Sequence, residues 1–339
     1  MRLGVTMPAR TIELAKVPEL ARMAEDAGLD SVWAWELYRN PLTMLATSAQ
    51  RTERIALGTG LAVAASRTPF EMANAAADID ELSGGRTLLG LGYGVGEFLS
   101  TLHSVPADRA LTRMSEYLDV LRLSWQYLAE ADAPAYQGQY YSFAAPPFNP
   151  WGNRVLTRPK IPVYLGAVRP NMLRLVGRKA DGWIGYLGTP AVVRDQVRPY
   201  IAEGAEQAGR DPAEIDVTLE VICSVAPDRE VAMLRARKQV GFYVCHPTSD
   251  PVVAAAGATE EVGKLRAAVF TDGPAALLNT SDELVHTFSL TGTPDEVRPR
   301  LAEWEGVLDH LVLHTPYVPP LTAQESEDSY RCICDTFRR

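Results

Sequence analysis

The side chains best placed to do chemistry in this 339-residue chain are carboxylates and a basic turn that follow apolar runs. Glu36 comes directly after Val32-Trp33-Ala34-Trp35, and Glu97 directly after the run that ends Gly92-Tyr93-Gly94-Val95-Gly96. A carboxylate at the end of a buried strand can accept a proton from a bound ligand or donate one to it. If Trp or Tyr rings desolvate it, its pKa rises and a proton becomes available near neutral pH. A solvated or helix-capping carboxylate fits the same letters. Gly166-Ala167-Val168-Arg169-Pro170-Asn171 leads from a strand into a helix, where free N–H groups and the helix dipole suit a phosphate and Arg169 adds a charge. A plain turn with Arg169 in water is the other reading.

The remaining candidates are thinner. Five histidines occur, His103, His246, His286, His310 and His314. His310 and His314 share a face two pleats apart on a strand, which is no metal site, and His314 at the strand's far end is a candidate substrate contact or a packed structural histidine. Trp33, Trp35, Tyr38 and Tyr93 sit at strand ends, where they either wall a planar ligand or cap the core. Cys223, Cys245, Cys332 and Cys334 lack zinc spacing and read as reduced thiols. Gly-x-Ser-x-Gly, P-loop and Gly-x-Gly-x-x-Gly patterns are missing at the places hydrolase, kinase or Rossmann chemistry would need them.

Positioning these residues requires alternating strands and helices. Arg54–Gly96 carries the plainest unit: an apolar run ending Gly58-Thr59-Gly60, a helix led by Pro69, and a second run at Thr87–Leu91. Two short, fully apolar strands joined by a helix are a parallel βαβ unit. The pattern repeats at Arg2–Met7, Ser31–Trp35, Ile161–Leu165, Gly182–Tyr186, Ile215–Val225 and Leu308–Leu313, each followed by a helical period. Eight alternations predict a closed (β/α)8 barrel in one domain over residues 1–339, with the active site at the C-terminal ends of the strands. Insertions at about 131–160 and 246–290 are expected over that face as substrate lids. Tyr140, Tyr141, Phe143, Phe148 and Trp151 in the first of them suggest an apolar or aromatic ligand, or simply pack the lid.

A net charge of −9 argues against a general nucleic-acid or membrane-surface role, and no apolar run approaches the roughly 20 residues of a membrane span. With no leader pattern at the start, a cytoplasmic protein is expected.

Arg54–Gly60, Arg67-Thr68-Pro69, Leu82-Ser83-Gly84-Gly85-Arg86, Leu89–Gly94, Ile161–Ala167, Ala180-Asp181-Gly182-Trp183, Gly292–Val297 and Leu308–Leu313 together resemble the luciferase-like monooxygenase superfamily over nearly the whole chain. The wording is nearer the branch that uses the deazaflavin coenzyme F420 for hydride transfer than the FMN-dependent oxygenases. The resemblance implies a TIM barrel and commonly a homodimer. It implies a cis peptide behind the ring at Gly60-Leu61, with Thr59 and Gly94 nearby, and the cofactor phosphate at Gly166, Ala167, Val168 and Arg169. It places Glu36 near the ring, although the histidine that follows this acid in sugar dehydrogenase members is Leu37 here. It makes Glu97, in Gly94-x-Gly96-Glu97, the candidate proton donor. The expected activity is hydride transfer between F420 and a small apolar or aromatic substrate. The alternatives are a reduced-FMN monooxygenase and a barrel that binds a flavin without turnover.

Overall fold

The computed structural model describes residues 1–8, 12–36, 39–150, 152–319 and 321–339; Leu37, Tyr38 and Trp151 lie outside them. Eight parallel strands form a closed ring: β1 (Arg2–Thr6), β2 (Ser31–Ala34), β3 (Ala56–Thr59), β4 (Thr87–Gly92), β5 (Val163–Gly166), β6 (Gly182–Tyr186), β7 (Asp216–Val225) and β8 (His310–His314). Each pairs with the next, and β8 closes on β1 through Arg2↔His310 to Val5↔Leu313. Helices fill the returns, so outward strand residues such as Leu219, Val221, Leu311 and Leu313 pack in the main core while inward ones fill the barrel.

Local chemistry explains why the repeated motifs sit where they do. The helix Pro69–Ser83 starts on the Thr68 hydroxyl, which accepts from Glu71 N, and stops at Gly84, whose φ of 66° is open to glycine at no cost. Arg86 then staples the strand entrance, donating to Ser83 O (2.7 Å), Ile55 O (2.6 Å) and Thr52 O (2.8 Å). On the other side the buried Glu25 carboxylate accepts from the N–H groups of Glu53, Arg54 and Ile55. These bonds hold its pKa low against the upward pull of burial.

Two features differ from the sequence expectation. Ser289–Gly292, where the sequence reading places no strand, is a short strand paired with the far end of β7 (Ile222↔Ser289 to Val225↔Gly292). β7 is long enough to pair with β6 and β8 low down and with this extra strand above. The segment 131–160 also is not rooted at the mouth. It joins the end of the helix Ala110–Glu130 to the start of β5, so both its ends lie on the N-terminal side of the barrel. There Arg158 bonds Asp80 (2.7 Å) and Thr87 O, and Arg154 reaches Asp78 (2.7 Å). Its hairpin, Tyr136–Gln137 with Ser142–Phe143, climbs that helix, where the Glu116 carboxylate accepts from Gln139, Tyr140 and Tyr141 N–H. The 246–290 insertion does leave from the C-terminal side, and is largely helical (Asp250–Ala255, Thr259–Asp272, Asp282–Phe288).

Candidate active site at the barrel mouth

The chain makes an abrupt bulge where β3 ends. The peptide Gly60-Leu61 is cis, and Ala62–Val63 then pairs with the top of β4. Leu61 turns its side chain into the barrel, into space that exists because its neighbours on β4 and β5 are glycines. A Cβ on Gly166 would lie 2.5 Å from Leu61 Cδ1, and one on Gly92 2.9 Å. These glycines therefore seat Leu61. Thr59 is fully buried and its hydroxyl donates to Gly90 O (2.7 Å).

Glu36 clasps the bulge from outside. Its backbone N–H donates to Leu61 O (3.2 Å), and its carboxylate accepts from Val63 N (2.7 Å) and, bidentately, from Arg67 Nη1 (2.8 Å) and Nη2 (2.9 Å). Burial alone would lower Arg67, but the Glu36 pair more than offsets it and leaves the guanidinium raised. With both oxygens engaged, Glu36 is built to hold the bulge in place.

The other expected residues are distributed around the rim. At Gly166–Arg169, Ala167 is buried and its carbonyl accepts from Trp183 Nε1 (2.8 Å), while Val168 and Arg169 are exposed. Met172 N and Leu173 N both donate back to Arg169 O, so part of the helix start is already satisfied. Beside this turn lies a cavity of about 150 Å³ lined by Ala167, Val168, Tyr186, Gly188, Gln196 and Tyr200. Gly94 adopts φ 114°, and a Cβ there would press on Leu99 and Val63. Glu97 lies in the first turn of the short helix Gly96–Leu102 and is exposed, between exposed Gly96 and Phe98. No aromatic ring covers it among the described contacts, and Tyr93 is buried with its hydroxyl on Pro106 O (2.8 Å).

What the mouth does hold is a buried acid and imidazole beneath aromatic rings. Glu220 of β7 and His314 of β8 both point inward, and His314 Nδ1 lies 2.9 Å from Glu220 Oε2. They are 3% and 2% exposed. Among the described residues neither Glu220 Oε1 nor His314 Nε2 has a hydrogen-bond partner. Burial pushes the Glu220 carboxyl up, and His314 pulls it part of the way back. Glu220 Oε1 packs directly on the bulge, where a Cβ on Gly60 would overlap it. Around His314 stand Tyr186 (4.8 Å between ring centres), Tyr317 (5.7 Å) and Trp35 (6.5 Å), and Tyr243 stacks on Tyr186 at 4.2 Å. The Tyr243 and Tyr317 hydroxyls are bonded to each other. Tyr243 rides on the helix Arg229–Val244, whose Gln239 accepts from Tyr317 N (3.0 Å) and Val318 N (3.1 Å) and donates to Tyr186 Oη (3.4 Å). That helix is the cover of the mouth.

Sequence reasoning kept His314 as a candidate contact but passed over Glu220. The signal was available: one carboxylate at an inward position of the otherwise buried strand Asp216–Val225. Trp33 resolves to the core reading, wholly buried against Tyr164 and His310 at ring distances of 5.8 Å, whereas Trp35 stands at the mouth. Among the described residues no His, Cys, Asp and Glu group could hold a metal, and no helix is long and apolar enough to cross a membrane.

Comparison with known proteins gives the family and the fold. A family model described as luciferase-like monooxygenase matches residues 1–311. The 5,10-methylenetetrahydromethanopterin reductase of Archaeoglobus fulgidus is 31% identical over 291 residues, covering 83% of each chain. The coenzyme F420-dependent tetrahydromethanopterin reductase of Methanopyrus kandleri superposes with a TM-score of 0.82 at 24% identity, over 99% of this chain and 97% of that one. The FMN complex of the oxygenating constituent of 3,6-diketocamphane monooxygenase from Pseudomonas putida has the same fold, with a TM-score of 0.69, 16% identity and coverage of 100% and 98%.

Proposed function

Since the chain belongs to the luciferase-like monooxygenase family, we propose that it is an oxidoreductase that transfers a hydride between coenzyme F420 and a small organic substrate with an aromatic or apolar body. The observation that carries the reading is the cis Gly60-Leu61 bulge clasped by Glu36 and Arg67, a rigid backbone ledge at the mouth of the barrel. The polar atoms left without partners there, Glu220 Oε1, His314 Nε2 and Trp35 Nε1 among the described residues, fit a ligand that is planar and polar at one edge. Thr59, Gly60 and Leu61 would back the ring, Gly94 would flank it, and Gly166, Ala167, Val168 and Arg169 would take the phosphate with Arg169 as its charge. When bound, the deazaflavin supplies a carbon centre that gives or takes the hydride. The chain's own residues do the rest: the bulge orients the ring, the helix Arg229–Val244 excludes water, and the aromatic walls align the substrate.

The identity to an F420-type reductase supports F420 over FMN. The same ledge could equally back an FMN ring, which makes a reduced-FMN monooxygenase the second reading. Side-by-side titration with F420 and FMN, oxidised and reduced, separates them, read by the fluorescence of Trp35 at the mouth. Micromolar or tighter F420 binding with weak FMN binding is expected. The reverse order would replace hydride transfer with oxygenation.

A further inference from the structure

The buried pair under the aromatic rings faces the ligand in the reading above but is given no chemical step there, and its geometry is costly for a purely structural pair. Each partner uses one atom on the other and leaves the second without a bond among the described residues. Leaving a buried polar atom unpaired is costly, so two of them side by side at the mouth mark a place where a ligand completes the bonding. The tether is one-sided: Glu220 fixes the imidazole through Nδ1 and so fixes which way Nε2 faces. Glu220 is in turn wedged against Gly60, the first residue of the cis bulge, which ties the pair to the ledge that would back the ring.

We infer that His314 is the catalytic acid and base of the reaction, that Glu220 is its positioning residue, and that the substrate is a planar compound bearing a C=O or C=N group. The inference rests on the hydride-transfer reading above. In the reducing direction His314 gives its Nε2 proton to the oxygen or nitrogen of the double bond, while the carbon takes a hydride and its electron pair from the reduced cofactor. The π electrons move to the heteroatom, a C–H and an O–H or N–H bond form, the cofactor is left oxidised by two electrons, and the imidazole is left neutral. Oxidation of an alcohol or amine runs the same steps backwards, with Nε2 accepting the proton. The titratable groups facing His314 are Glu220 from β7, Tyr186 from β6, Tyr243 from the covering helix and Tyr317 from the segment after β8. Burial holds Tyr186 and Tyr243 as neutral phenols.

The test uses 4-nitrophenol, a planar phenol that fits aromatic walls and turns yellow when it loses its proton. In mildly acidic buffer, where the free probe is mostly neutral, binding to the wild-type protein should produce the phenolate band as His314 takes the proton. His314→Gln and Glu220→Gln should bind the probe within about threefold of wild type and lose at least about tenfold of the band, since a positioned acid or base is worth roughly 10²–10⁴-fold. Glu220→Asp, which keeps the charge but withdraws it by one methylene, should retain a weakened band. It serves as the second variant should the glutamine substitutions fail to fold by circular dichroism. A full band in His314→Gln, or no band in wild type, overturns the inference. Titrating the same samples with F420 and FMN separates the two readings. Loss of the band with cofactor binding intact leaves the cofactor reading standing and confirms the pair. A band without binding of either cofactor sinks the cofactor reading alone.

Discussion

His310 and His314 lie on one face of β8, four residues apart, and are equally buried, yet the two ends of the barrel make different groups of them. At the floor, Trp33 Nε1 donates to Ser31 Oγ (2.7 Å), and Ser31 Oγ lies 2.8 Å from His310 Nε2. Among the described residues no carboxylate bonds this ring, and its Nδ1, like His314 Nε2, is without a partner; burial, with Arg2 adding to it, pushes His310 down to about 3 and keeps it neutral. At the mouth, His314 meets Glu220, and the pair keeps two atoms in reserve. At the floor a hydroxyl partner leaves the histidine in an uncharged core, whereas at the mouth a carboxylate partner holds the imidazole by Nδ1 and so fixes its direction. Position on the strand decides which partner is within reach.

Acid should break the comparison first, at the floor. His310 binds a proton near 6.5 in the unfolded chain and near 3 in the fold, so the unfolded state holds more protons between those values and stability falls as pH drops through that window. The loss tends to about 4–5 kcal/mol at the low end by the linkage relation, and none of it is felt above pH 7. Urea unfolding of wild type and His310→Gln at stepped pH checks it: the variant's curve should be flatter by about one proton. Equal slopes would remove His310 from the acid response.

The next largest effect belongs to the mouth. Arg67→Met leaves the Glu36 carboxylate without its bidentate partner in a mostly buried place, at a cost of about 3 kcal/mol. Because Glu36 also holds Val63 and Leu61, cofactor affinity should fall along with stability, and a change in stability alone would mean that the bulge stands without the clasp. Ser31→Ala at the floor strands Trp33 Nε1 and His310 Nε2 for about 2 kcal/mol. Thermal unfolding should register that loss while cofactor titration stays at the wild-type value. Glu97→Gln should be smallest. An exposed helix-start carboxylate changes stability by about 0.5 kcal/mol or less, and the matching expectation for turnover is a change within about twofold. A tenfold fall in turnover at unchanged cofactor affinity would restore Glu97 as the acid.

Much of the barrel was legible because its signals are local. Fully apolar strand runs, helix periods with Pro at the start and Gly at the end, and the glycines flanking β3 and β4 are read residue by residue. The bulge at Gly60-Leu61 and the placement of Gly94 and Gly166–Arg169 on the rim follow from the family resemblance, and the backbone agrees with them. The sequence points to Glu36 but not to what it bonds. Its partner Arg67 lies 31 residues on, and only the fold brings the two together. Glu97 reads two ways, because a carboxylate after a glycine-rich strand end looks the same whether rings cover it or water does. Composition alone suggests a lid at 131–160, whereas the segment's place between a helix and the next strand roots both its ends at the other end of the barrel, from which its hairpin climbs the helix. The strand Ser289–Gly292 follows a helix with no break, and only the overhang of β7 gives it a partner.

The alternation of strands and helices, the closed barrel, the family and the end of the barrel where ligands belong all follow from the order of residues alone, since each rests on periodicity and short motifs acting within a few residues. Which acid meets which base does not. Glu220 and His314 are 94 residues apart, on neighbouring strands, and become one group when barrel closure sets β7 beside β8 and the helix Arg229–Val244 shuts out water. Pairing, burial and the protonation that follows from them are properties of that closure, because they depend on distances across the ring that no stretch of the chain contains.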